Sequence, residues 1–362
     1  MIEEASTMKT ILALCTVLLI CLSTVSPAAE YPYIYKGMRP MGMGGAFVAV
    51  SNDVNALFYN PAGLADIGSI RASIFPLEME ISENSYTMYK DAADVDFDSE
   101  EETAEFLRDH IGDLAHFNLA LVPSYSMPRF AFCAFGTARM DLEAHDRQYP
   151  KLGVQGISDV GLGAGYAHPL MDDSLLVGAS LKYVFRQSIS EVYTVTDIAD
   201  SDFDDRMDDD LKDGQGILLD LGVIYKLNVL GLADTRIGLS ANNLIGSKLG
   251  DAEDLDDHVD IGVAQDIDLK VTRLTLALDY VDLFSQLGDD DDLAKRIRMG
   301  AELELLKFLE VRAGIYQGYL TAGLGLDGRI VRLDLVTYAE EIGTYAGQRA
   351  DRRYAVRFAM GF

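Results

Sequence analysis

Tryptophan is absent from this 362-residue chain, cysteine occurs three times, and Lys and Arg (30) are outnumbered by Asp and Glu (58). Cys15 and Cys21 lie in the first thirty residues, so loss of a leader would leave Cys133 alone and no internal disulfide framework. A formal net charge of -28 argues against nucleic acid as a partner and against adsorption to anionic lipid. Beyond Val25 no stretch holds eighteen consecutive apolar residues, which excludes ordinary transmembrane helices. No nucleophile–His–acid set, phosphate loop or metal-ligand spacing is present. His110, His116, His145, His168 and His258 fall at loops or rims with no repeating interval. The chain therefore reads as neither an enzyme nor a carrier of a metal or cofactor.

What is present begins with a targeting segment. Ile11 to Val25 is apolar or small throughout, preceded by Lys9 and followed by Ser26-Pro27-Ala28-Ala29. That is the pattern of a secretory signal, too short to span a bilayer, cleaved near Ala28 or Ala29. Residues 1–29 are assigned to it, with Met8 as an alternative start, and the chain is expected to leave the cytoplasm.

From residue 70 onward the dominant period is two. In the run from Arg296, Ile297, Met299, Ala301, Leu303 and Leu305 share one face. Arg296, Arg298, Gly300, Glu302 and Glu304 share the other. Fourteen candidate strands follow: 70–80, 116–125, 129–140, 156–168, 174–187, 215–226, 235–243, 258–267, 271–282, 295–305, 308–316, 319–326, 329–338 and 353–362. Their connections alternate between long (81–115, 141–155, 188–214, 244–257, 283–294, 339–352) and tight, and only the eleventh, at Gln317-Gly318, breaks the rule. A soluble sandwich has no reason to sort loops by parity, whereas an outer-membrane barrel has short turns at one rim and long loops at the other. Thirty of the 58 acidic residues sit in four of the long loops. The tract from Asp200 fails as a calcium loop, with Asp205 where Gly is needed and Leu211 where the bidentate Glu belongs. It reads as solvated, mutually repelling loop, which leaves loose divalent binding among lipid head groups open.

The stretch Met41 to Ala65, MGMGGAFVAVSNDVNALFYNPAGLA, stands apart from the strands. Gly42, Gly44 and Gly45 permit close backbone approach. Ser51, Asn52 and Asp53 offer cap oxygens to a short helix that Pro61 ends by restricting Asn60. A barrel this wide needs a plug, and residues 30–69 can supply it.

With its GMGGAFVAV run (including Phe47), the Asn52-Asp53 pair and Asn60-Pro61-Ala62, the segment resembles the N-terminal hatch of FadL-type long-chain fatty-acid channels. It is more similar still to the PorV/PorQ-like members of that superfamily. Ser51-Asn52-Asp53 departs mildly from their commoner Ala-Asp-Asp. The resemblance implies an all-β, monomeric, fourteen-stranded transmembrane barrel (70–362) closed by a hatch (30–69). It further implies passive uptake of hydrophobic, fatty-acid-like molecules and their sideways release into outer-membrane lipid. The alternative it carries is a scaffold or carrier for secreted proteins.

Three further expectations attach to named residues. The alternation Tyr354, Val356, Phe358, Met360, Phe362 resembles the signal by which the barrel-assembly machinery recognises a C-terminal strand. Inward charges should mostly pair with one another and hold the hatch; if one cluster receives an anionic head group, Arg296, Arg298 and Arg357 are the candidates. Along Arg129 to Met140 the bulky positions Phe130, Phe132 and Phe135 slip by one near Cys133-Ala134, as at a β-bulge, beside Pro123 on the neighbouring strand. Pro123, Cys133 and Ala134 thus mark either a lateral opening, similar in place to the strand-three kink of FadL-type channels, or two harmless irregularities.

Overall fold

The computed structural model describes residues 31, 33–229, 233–268, 272–287, 292–306, 308–328 and 330–361. The leader and Phe362 lie outside the described residues. One antiparallel sheet contains β1 (Arg71–Ser73), β2 (Leu77–Ser82), β3 (Leu114–Leu121), β4 (Ser124–Met127), β5 (Phe130–His145), β6 (Lys151–Leu170), β7 (Leu175–Thr194) and β8 (Lys212–Val229). It continues through β9 (Ala233–Asn242), β10 (His258–Asp268), β11 (Thr272–Tyr280), β12 (Ile297–Leu305), β13 (Leu309–Tyr316), β14 (Tyr319–Asp327), β15 (Val331–Glu341) and β16 (Ala350–Met360). β1 with β2, and β3 with β4, each make one interrupted stave. The β16–β2 pairing joins the last stave to the first, and closure gives fourteen staves. Among the described residues no helix is long and apolar enough to cross a membrane.

Side-chain placement is inverted relative to a water-soluble core. Leu162, Leu181, Leu278 and Leu320 are exposed on the outside, while Arg186, Arg312 and Arg353 are among the largest fully buried side chains. The period of two produces this directly, because alternate residues of every strand face opposite sides. All seven odd-numbered connections lie at one rim. They carry short helices at Glu83–Ala92, Glu100–Asp109 and Phe203–Asp210. The last of these runs through the tract tested above as a calcium loop, so that segment is a turn of acidic helix. Among the described residues no group of three or more His, Cys, Asp or Glu could hold a metal ion.

Two expectations require correction. The third connection is 146–150 rather than 141–155, because β5 and β6 stay paired up to His145 opposite Lys151. Polar residues such as Asp141 and Glu143 concealed that extension, since a wall standing above the bilayer need not alternate with apolar residues. The second correction concerns the bulge. β5 pairs with β6 in unbroken register from Phe130–Tyr166 to His145–Lys151, through Cys133–Gly163 and Ala134–Leu162. Phe135 breaks the bulk pattern because it points inward, where it is buried. Cys133 and Ala134 therefore mark no bulge, and Cys133 lies opposite Ser124, with Leu121 opposite Gly136.

The irregularity lies one stave away. Ser73 pairs with Ser124 and Leu77 with Leu121, so Ile74-Phe75-Pro76 faces only Val122-Pro123. The same extra residue appears on the other side, where Ser73 meets Gly361 and Leu77 meets Phe358. An extra unpaired residue bends a strand, and neither Pro76 nor Pro123 can donate to a ladder. Pro123 thus belongs to a break between the first two staves.

The described part of the N-terminal segment lies against the inner wall, with Met43, Phe47, Ala49, Leu57 and Leu64 fully buried. Asp53 caps Val54–Leu57 by accepting from the Asn55 amide, and Asn60 caps Pro61–Asp66 by accepting from Ala62. Gly44 and Gly45 take positive φ (65° and 74°), and a Cβ on Gly44 would meet the backbone of Met299 and Ile315 within 2.6 Å. The wall reciprocates with glycine. Side chains at Gly178, Gly222, Gly238 or Gly300 would collide with the backbone or side chains of Pro61, Asn60, Val48 and Met43 respectively. Gly238→Val should therefore lower stability by roughly 1–3 kcal/mol through overpacking, read as an earlier heat-induced gel-mobility shift. Gly68→Val, with nothing within 4 Å of its Cβ, should leave the shift in place; equal behaviour of the two variants would contradict this packing.

Candidate functional site

The lumen has two unlike sides. On the wall from β12 round to β2, charge meets charge. Arg39 grips Glu302 with two bonds, Nε–Oε2 at 2.8 Å and Nη2–Oε1 at 2.7 Å, and its third nitrogen reaches Asn52 (2.6 Å) and Asp53 (2.9 Å). Glu302 also accepts from Arg312 at 2.7 Å, and Arg312 continues to Asp334 at 3.1 Å and to Glu310. Asp334 receives Arg332 at 2.9 Å and lies 3.7 Å from Arg357, which pairs with Glu78 at 3.0 Å. The chain of pairs returns to the N-terminal segment where Tyr35 donates to Glu78 at 2.6 Å. Buried charges of this kind are tolerable only when paired and hydrogen-bonded. Glutamate, aspartate and arginine on the inward positions supply both signs at adjacent heights.

One further anchor is made of backbone. Asp279 of β11 accepts the amides of Phe47 (2.6 Å) and Val48 (2.8 Å). Its register partner is Arg298. Both amides bond Asp279 Oδ2, while Oδ1 is buried without a hydrogen-bond partner; the Arg298 guanidinium stacks on the Tyr316 ring at 4.9 Å, and its Nε is likewise buried without a partner. Among the described residues no carboxylate lies within ion-pair distance of Arg298. On the segment itself, burial pushes the Tyr59 phenol up to about 12, so it stays neutral.

The opposite side, from β3 to β8, carries an apolar patch set among buried pairs such as Lys182–Asp220 and Arg186–Asp159. Leu57 and Leu64 pack with Ala120, Val122, Ala131 and Cys133, and Phe58 meets Phe135 edge-on at 5.9 Å. This apolar face lies directly inside the break at Val122-Pro123. Above it a small cavity is lined by Tyr33, Ile34, Tyr35, Asn118, Ala120 and Arg139. Arg186, bonded to Asp159 at 2.7 Å through two nitrogens, also touches the carbonyls of Tyr33 and Glu253 at 3.3 Å. It thereby joins the wall, the N-terminal segment and the 243–257 loop.

The residues singled out from sequence fall in distinct places. Gly42, Gly44, Gly45 and Phe47 lie against β9–β14, and Asn60, Pro61 and Ala62 against β7–β9. Asn60 donates to the Val48 carbonyl at 2.8 Å. The three arginines form no cluster. Arg296 is buried near the rim with Ser285 and the Asp282 carbonyl, Arg298 stands below it on β12, and Arg357 belongs to the Glu78–Asp334 network. His116 is no rim residue. It is buried in β3 between Asp141 (2.5 Å) and Glu80 (2.9 Å). Arg39, Asp279 and Glu302 carry contacts between segment and wall; alternation places Asp279 and Glu302 among the inward charges expected to hold the hatch, but nothing local names their partners, and Arg39 was not singled out for that role.

A family model described as "F plasmid transfer operon, TraF, protein" matches residues 77–327. No curated protein matches the chain. The solved structure of TbuX, the Ralstonia pickettii toluene transporter, is similar with TM-score 0.50 and 14% identity over 90% of this chain and 98% of that one. A TodX deltaS2S3 mutant, titled a monoaromatic hydrocarbon channel, gives 0.52 and 12% over 90% and 99%. A Pseudomonas aeruginosa FadL homologue gives 0.46 and 10% over 92% and 99%. At these identities the first two show a shared fold, and the expected FadL-like barrel is that fold.

Arg39 offers a direct test of the charged side. Breaking a buried pair costs roughly 3–5 kcal/mol, so Arg39→Ala should unfold at markedly lower urea or temperature in detergent. Arg39→Lys, keeping charge but losing the two-pronged grip, should fall between. Wild-type stability in Arg39→Ala would show that this contact holds nothing.

Proposed function

The chain belongs to the family described as "F plasmid transfer operon, TraF, protein", and from that footing we propose that it is a bacterial outer-membrane channel for passive uptake of small hydrophobic molecules. The family description names an operon and no chemistry, so the reading rests on the molecule. Its outer face is apolar, its buried face is charged and its loops sort by rim, which suits a barrel surrounded by outer-membrane lipid. Residues 30–69 act as the hatch, held by Arg39, Tyr35 and Asp279. The protein works as a channel rather than a catalyst. Structures sharing its fold carry titles naming toluene and monoaromatic hydrocarbons, which favours a channel over a secretion scaffold. It functions as a monomer and is inserted by the barrel-assembly machinery through its last strand.

The single observation that carries the route is the coincidence of an apolar inner face with a broken wall. A hydrophobic solute entering from the long-loop side is repelled by the charged wall from β12 to β2 and retained by the face from β3 to β5. It leaves sideways between the first two staves, at Ile74–Pro76 and Val122-Pro123, into the bilayer. Arg298, lacking a carboxylate partner, receives the head group when the solute is an amphiphilic acid; Arg296 and Arg357 are already engaged.

Leu77 and Leu121 are cross-strand partners beside the break, close enough for a disulfide after replacement by cysteine. In a Cys133→Ser background, oxidising Leu77→Cys/Leu121→Cys should slow delivery of a fluorescent fatty acid into proteoliposome membranes several-fold, and reduction should restore it. Delivery that ignores a demonstrated disulfide would exclude this exit.

A further inference from the structure

We propose that Ser240, Asn242, His258 and Asp260 form a binding site for a first-row divalent metal ion of the zinc class, on the inner wall of the β9–β10 hairpin. His258 lies opposite Asn242, and Asp260 opposite Ser240, so two cross-strand pairs stand one above the other. Ser240, Asn242 and Asp260 are buried, and His258 is partly so. Asn242 Nδ2 lies 3.2 Å from Ser240 Oγ, 3.3 Å from His258 Nε2 and 3.2 Å from Asp260 Oδ2. His258 Nε2 and Asp260 Oδ2 are 3.6 Å apart.

A proton-only network accounts poorly for this arrangement. One amide NH2 has two hydrogens and faces three acceptors, while Asn242 Oδ1 is buried with no partner at all and the residue is only 3% exposed. The two ends of the amide have nearly the same shape. Turned over, it places its oxygen where the nitrogen stands, within 3.2–3.3 Å of Ser240 Oγ, His258 Nε2 and Asp260 Oδ2. Metal bonds of 2.0–2.1 Å in tetrahedral array require ligand separations of about 3.4 Å, which the four separations above bracket.

The supporting contacts suit a ligand set. His258 Nδ1 is 3.3 Å from the Asp256 carbonyl, which favours the tautomer with its lone pair on Nε2. Asp260 Oδ1 accepts the Asp282 amide at 2.8 Å, fixing the carboxylate and leaving Oδ2 inward. One imidazole with three oxygen donors selects zinc or manganese over thiophilic ions. Only the hairpin register brings Ser240 and Asn242 to His258. The site does not depend on the channel reading.

The test uses the full-length protein, purified in detergent and freed of metal, titrated calorimetrically with zinc chloride and followed with Co2+ by visible absorption. One equivalent of zinc should bind, and His258→Ala and Asp260→Asn should each weaken it at least ~10-fold, with the folded-state gel shift retained. Co2+ should give the intense bands of a four-coordinate ion, absent in His258→Ala. Zinc binding unchanged in both variants would assign it to the acidic loops and overturn the site. So would an absence of binding in the wild type.

Discussion

A barrel of fourteen staves encloses more space than its own inward side chains can fill. Most other features of this chain answer that constraint. A band of inward glycine on β7–β10, β12 and β13 brings the wall close to the backbone of the N-terminal segment. The segment answers with glycine of its own at Gly44 and Gly45. Two glycine surfaces can approach nearer than any pair of side chains allows, and the contact becomes backbone on backbone. Polar backbone groups pressed into such a contact need partners, and Asp279 supplies two of them by accepting from Phe47 and Val48.

The charged network solves a second part of the same problem. Small residues make room but give little attraction, whereas Arg39 with Glu302, and Tyr35 with Glu78, tie the segment to the wall at 2.6–2.8 Å. With further ties from Asp279 on β11, Arg186 on β7 and Lys226 on β8, it is the patch around Ala120, Val122, Ala131 and Cys133 that is left apolar. On the channel reading proposed above, the anchoring side is the one a hydrocarbon avoids, and the apolar patch lies beside the irregularity at Pro76 and Pro123.

Much of the barrel was legible because its signals are local. Alternation, loop parity and tight turns such as the one between Met127 and Phe130 locate every stave, although β7 runs on to Thr194, past its expected end at 187. The third connection was misjudged where Asp141 and Glu143 extend β5 as polar strand. Phe135 shows the limit of reading bulk as direction: a large residue turned inward against Phe58 mimics a slipped register. Pairing was less legible than facing. Alternation put Glu302, Asp279 and Arg298 inside, yet which of them meets Arg39, and which is left with Tyr316 alone, depends on register between strands and on a segment more than two hundred residues away. The His258–Asn242 and Asp260–Ser240 pairs were hidden for the same reason, since their partners lie across a hairpin. Phe362 and the leader lie outside the described residues, so their roles rest on sequence.

The central claim is that a barrel with its N-terminal segment packed against the inner wall conducts hydrophobic solutes through that wall. Flux into proteoliposomes of a hydrophobic aromatic and of a sugar of similar size, measured side by side against protein-free vesicles, addresses it most directly. The account predicts faster equilibration of the aromatic with sugar permeability unchanged. Sugar entering as readily as the aromatic, or neither exceeding the protein-free rate, would contradict it.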